Sequence, residues 1–116
     1  CYDLRFPVFS RNAEDYDLLL YVANWPKQRI NAWDSLLKAR AIENTSYTIG
    51  VNRVGTDNNK LEYDGHSQII DFSGNYLIEP QTDEEIYSTT LHKSSLLEFR
   101  EKFGFLNDRD TFTVLD

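Results

Sequence analysis

The chain has one cysteine in 116 residues, Cys1, so no internal disulfide can form and a small disulfide-stapled scaffold is excluded. A lone thiol fits a reducing compartment, and the cytoplasm is the expected location. Long apolar runs are missing too. The longest, Leu18-Leu19-Leu20-Tyr21-Val22-Ala23, has the length of a strand and falls far short of the ~20 residues that cross a bilayer. Basic residues are scarce: 12 Lys and Arg stand against 19 Asp and Glu, for a formal net charge of −7. Phosphate neutralisation needs clustered cations, so nucleic acid and anionic membranes are poor partners. His66 and His92 are the two histidines, neither has a cysteine nearby, and no metal-ligand spacing arises. Glycine-rich phosphate loops, internal repeats and low-complexity tracts are also lacking.

What is there reads as one globular domain. Hydrophobic residues make up 41% and charged residues 27%, a balance that supports a core and a solvated surface. A short helix is expected over 9–16, opening after Pro7. Residues 17–24 form a continuous apolar run, the pattern of a strand buried on both faces, and Pro26 stops it. The clearest helix is 28–45, where Ile30, Trp33, Leu37 and Arg40-Ala41 recur at helical spacing and Leu36 widens the stripe. Strands are expected over 46–54, 66–72 and 85–91, with a turn cluster at 55–59. A Ser73-Gly74-Asn75 turn sends 76–78 back as a hairpin. A last helix covers 94–103 behind a Ser cap, and 104–116 reads as irregular and extended. Helices among buried strands predict α/β layers, and so apolar a strand as 18–23 wants neighbours beyond those present. The pattern is that of part of a sheet.

Few residues have the chemistry for a site. Cysteine attacks as the thiolate and needs a base, a cation or a helix N-terminus to favour that form. Taken by itself, Cys1 is more readily an inert small apolar side chain. Asp3, Arg5 and Glu43 lie in apolar surroundings, and a buried ion-pair cluster tying the first residues to the long helix is the favoured reading. Asn24-Trp25-Pro26 ends a buried strand, where α/β sheets collect ligands, so Trp25 is a candidate pocket wall as well as a core residue. Arg29 follows it as a candidate cation for an anionic substrate group. His66 is read as a polar residue entering a strand.

Four ordered blocks then carry a resemblance: CYDLRFP, DLLLYVANWP, LLKARAIEN and YDGHSQIIDFSGNYL. Together they resemble the nitrilase superfamily of carbon-nitrogen hydrolases, and within it the omega-amidase branch, along the whole chain. The resemblance implies α/β architecture, as the C-terminal part of an αββα sandwich that becomes four-layered in a homodimer. It implies a thiol amidohydrolase of small dicarboxylic monoamides such as 2-oxoglutaramate, with no cofactor. Cys1 matches the family's nucleophile and the Tyr2 backbone N–H an oxyanion donor. Asn24, Trp25 and Arg29 fall where substrate is expected. The family's general-base Glu and its Lys lie upstream of these blocks, so residues 1–116 are expected to be a C-terminal portion completed by an upstream half.

Rival readings differ in class. An N-terminal-nucleophile hydrolase needs a glycine- and strand-rich sequence after its nucleophile, which 7–16 does not supply. An acylated lipoprotein cysteine is usually followed by a flexible Ser/Gly linker, unlike Leu4-Arg5-Phe6-Pro7. A catalytically incomplete piece with a structural or binding role remains compatible with every residue.

Overall fold

The computed structural model describes residues 1–115. Strand β1 (Leu18–Ala23) crosses through helix α2 (Ile30–Asn44) to β2 (Tyr47–Asn52), which lies parallel to it with Leu18 opposite Tyr47 and Ala23 opposite Asn52. A parallel pair needs a long crossover, and the helix supplies it. Beyond β2, β5 (Ser67–Ile70) and β6 (Tyr76–Gln81) add antiparallel, giving the order β1-β2-β5-β6. A separate hairpin pairs β3 (Val54–Thr56) with β4 (Glu62–Asp64). Asp57 closes it, accepting the Asn59 and Leu61 N–H groups at 2.8 and 3.0 Å. Those bonds to the charged form, the Leu61 bond foremost, hold its carboxyl below the ordinary value.

Helix α2 obeys the predicted stripe. Trp33, Leu37 and Ala41 are fully or almost fully buried, and pack with Tyr21, Ala23, Ile70, Leu4 and Trp25. The helix can come so close because β2 has a glycine beneath it. A Cβ on Gly50 would lie 2.5 Å from Leu37 Cδ1 and 2.7 Å from the Trp33 ring. Thr45 turns the chain out of the helix in the left-handed region, at φ 46°, and Ser46 N–H returns to the Ala41 carbonyl.

The sheet's opposite face is largely bare. Leu18, Leu20 and Val22 are 42, 56 and 68% exposed, and Val51 beside them is 44% exposed. The expectation that β1 is buried on both faces is therefore corrected: Tyr21 and Ala23 are buried under α2, while the alternate residues face outward. Helix α3 (Lys93–Lys102) covers one end, where Phe72 meets Tyr47 at 5.2 Å and Phe99 at 4.8 Å.

Four further expectations change. The helix over 9–16 shrinks to a single turn, α1 (Pro7–Ser10). Fully buried Asn12 ends it, because its side chain bonds Tyr16 N–H and C=O and the Asn44 carbonyl in place of a helical ladder. Residues 85–91 form no strand. Their alternation describes a half-buried surface, but no strand among the described residues pairs with them, and Ile86 is 92% exposed. The 55–59 turn cluster instead contributes Gly55 and Thr56 to β3, and the three-residue β4 is too short to announce itself. In the tail, a 3-10 turn (Phe105–Asp108) interrupts the expected irregular stretch, whose last residue, Asp116, lies outside the described residues.

Candidate active site

The site begins with a tight turn. Residues Tyr2–Arg5 form a 3-10 turn in which Leu4 N–H reaches the Cys1 carbonyl and Phe6 N–H the Asp3 carbonyl. Leu4, with no exposed surface, anchors the turn in the core. Phe6 is extended, as a residue before proline prefers, and Pro7 then starts α1 at the position where its missing N–H costs nothing. Cys1 is left exposed at the lip of the turn, its Sγ 3.9 Å from the Asn24 carbonyl.

Asn24 directly follows β1, at the strand's carboxyl end. Cys1, Tyr2, Arg5, Asn24, Trp25, Pro26 and Arg29 surround one open hollow of about 400 Å³. The structure thus brings together every residue the sequence offered for nucleophile, oxyanion and substrate contacts, from positions up to 28 residues apart. Trp25 forms the wall between turn and helix. Its ring packs on Trp33 at 5.6 Å, its Nε1 donates to the Arg29 carbonyl at 2.7 Å, and the Arg5 guanidinium lies over it at 4.8 Å.

The predicted charge cluster is not formed. Among the described residues neither Asp3 nor Arg5 has an oppositely charged group within 4.0 Å. Glu43 pairs instead with Arg40, one helical turn before it, at 2.9 Å. Arg40 is 3% exposed and also donates to the Leu4 carbonyl, so it makes the tie expected of Arg5. Arg5 is released to the aromatic face of Trp25.

His66 sits just before β5 in the left-handed region, at φ 60°. Its Nδ1 lies 2.9 Å from Asp34, and its carbonyl accepts from Trp33 Nε1 and Gln68 Nε2. It is a partnered residue at a strand entry, as expected. His92 precedes α3, where its carbonyl accepts from the Tyr47 hydroxyl.

One residue near the hollow escaped the sequence reading. Asn52, the last of β2, points its side chain at the backbone of Trp25. The available signal was a polar, turn-forming residue ending the apolar YTIGVN run.

The chain belongs to the carbon-nitrogen hydrolase family, whose model matches residues 1–101. Its fold is the mixed α/β fold of that family. It is 47% identical over 116 residues to the omega-amidase YafV of Yersinia enterocolitica, covering 99% of this chain and 45% of the relative. Over 111 residues it is 44% identical to a 2-oxoglutaramate amidase of Paenarthrobacter nicotinovorans, covering 94% of this chain and 37% of that one. The crystal structure of XC1258 from Xanthomonas campestris, a CN-hydrolase superfamily protein with an arsenic adduct in its active site, superposes with a TM-score of 0.95. That match has 48% identity and covers 98% of this chain and 46% of XC1258. The resemblance to the nitrilase superfamily and its omega-amidase branch therefore stands. The chain spans less than half the length of each of these relatives.

Proposed function

We propose that the chain is the C-terminal portion of a thiol amidohydrolase that cleaves the distal amide of small dicarboxylic monoamides, with Cys1 as nucleophile. The observation that carries this reading is the hollow, which sets a thiol beside a strand-end tryptophan and two guanidinium groups, those of Arg5 and Arg29. Similarity to omega-amidases and to a 2-oxoglutaramate amidase supports the substrate class. A monoamide of this kind carries a carboxylate, and Arg29 is its partner.

The hollow's lining includes no carboxylate and no lysine among the described residues. The general base, a Glu, and the oxyanion Lys are accordingly assigned to the half outside this chain. The Glu takes the thiol proton and the thiolate attacks the amide carbonyl carbon, forming the C–S bond. The oxyanion is held by the Lys and by the Tyr2 N–H. Collapse breaks the C–N bond, and the Glu returns its proton to the departing ammonia. Water, deprotonated by the same Glu, then attacks the thioester, the C–S bond breaks, and acid and free thiol are regenerated.

The expected result in the full-length protein is ammonia release from succinamate and 2-oxoglutaramate, abolished by Cys1→Ala. Release that persists in that variant would refute the reading.

We further propose that the full-length protein is a homodimer joined through α1 and α2. Val8, Phe9 and Ile42, on these two helices, are 57, 70 and 51% exposed, an apolar surface that fits a self-complementary contact. Sedimentation at micromolar concentration should show a dimer; a monomer would reject it.

A further inference from the structure

Asn52 is 7% exposed, and its carboxamide has every polar hydrogen engaged. Oδ1 accepts the Trp25 N–H at 2.7 Å, while Nδ2 donates to the Trp25 carbonyl at 2.9 Å and to the Gly65 carbonyl at 2.8 Å. These partners fix the amide's orientation, since a flipped carboxamide would set donor against donor and acceptor against acceptor. The Asn52 backbone is fixed as well, because its N–H donates to Ser67 Oγ and its carbonyl accepts from the same hydroxyl.

One side chain therefore holds both backbone groups of Trp25, at the point where the chain leaves β1. Ala23 is the last residue in register with β2, opposite Asn52 itself, so no ladder partner remains for Trp25. The carboxamide replaces that missing partner. What it fixes is one wall of the hollow: the Asn24 carbonyl facing Cys1, the Trp25 ring beneath Arg5, and the Arg29 backbone held by Trp25 Nε1. Cys1 itself rides on a turn whose backbone is held differently, by Arg40 donating to the Leu4 carbonyl.

We infer that Asn52 is a positioning residue for substrate binding: it sets the Trp25–Arg29 wall against the cysteine without touching substrate. The inference rests on the reading of Cys1 as nucleophile. Its consequence is a division of effects, in which loss of the clamp loosens the wall while the thiol stays in place.

The test is steady-state hydrolysis of succinamate by the full-length protein carrying Asn52→Ala or Asn52→Asp, with iodoacetamide alkylation of Cys1 measured alongside. A wall displaced by about 1 Å lowers kcat/KM about 10²-fold, and the drop should fall on KM, with kcat and the alkylation rate changing about threefold or less. Asn52→Asp keeps the acceptor for Trp25 N–H but turns an oxygen toward two carbonyls, so it should be as impaired as Asn52→Ala at pH 8. It should recover part of its KM as pH falls and the carboxyl gains a proton to donate. A purely structural role would reduce the fraction of folded enzyme, lowering kcat at unchanged KM, and that outcome overturns the inference. So does a KM within twofold of the parent. Hydrolysis surviving Cys1→Ala would instead bring down the underlying reading, and the inference with it.

Discussion

Purified without the rest of the protein, the 116-residue chain should release no ammonia from succinamate or 2-oxoglutaramate, and its thiol should alkylate slowly. The cysteine's partner within reach is the Asn24 carbonyl, which cannot take the thiol proton. Arg5 and Arg29 line the hollow, but no carboxylate does among the described residues, so nothing there can accept the thiol proton. Losing one oxyanion donor alone typically lowers turnover about 10²–10³-fold, and on the proposed reading the base is absent as well. The same chain should bind a hydrophobic dye and aggregate, because Leu18, Leu20, Val22 and Val51 present an apolar sheet face beside an edge of β1 that no strand among the described residues pairs with. Supplying the other half, covalently or as a separate chain, should restore rapid alkylation and hydrolysis together and suppress dye binding. Ammonia release by the isolated chain, lost on Cys1→Ala, would mean that the base lies within these residues. That result would sink the division of the site between two halves.

How much of this was legible in the sequence follows from the range over which each signal acts. The α2 stripe was readable because Trp33, Leu37 and Ala41 all answer to one periodicity, and the helix buries that stripe. The hollow was readable at its two ends, Cys1 and Asn24-Trp25-Pro26, since a thiol and a strand-ending proline announce themselves locally. What joins those ends was not. Asn12 halts a helix by bonding residues near and far, and Asn52 completes a strand's hydrogen bonds with a side chain; neither leaves a periodic trace. The apolar run at 18–23 reads as doubly buried because composition reports that a residue is suited to burial, not which neighbour buries it. In the described residues α2 buries one face, and the other face still awaits a cover.

The pairing of Arg40 carries the second large effect. Arg40→Ala should destabilise the full-length protein by about 1–3 kcal/mol, the usual cost of leaving a buried polar group without its partner. The variant strips the Leu4 carbonyl of a buried donor and leaves Glu43 without its cation. Arg5→Ala should cost no more than about 1 kcal/mol, because Arg5 is itself exposed and a cation–π contact at an exposed site contributes little. Urea denaturation of the two variants, compared at constant m, separates these sites. Greater damage from Arg5→Ala would return the structural role to Arg5 and overturn its assignment to Arg40. The consequence also reaches the chemistry. Leu4 anchors the turn that presents Cys1, so loosening its carbonyl lets the thiol drift from the wall that Trp25 forms. Arg40→Ala should then slow alkylation of Cys1 even at temperatures where the protein remains folded, whereas Arg5→Ala should leave the turn in place and alter substrate binding alone.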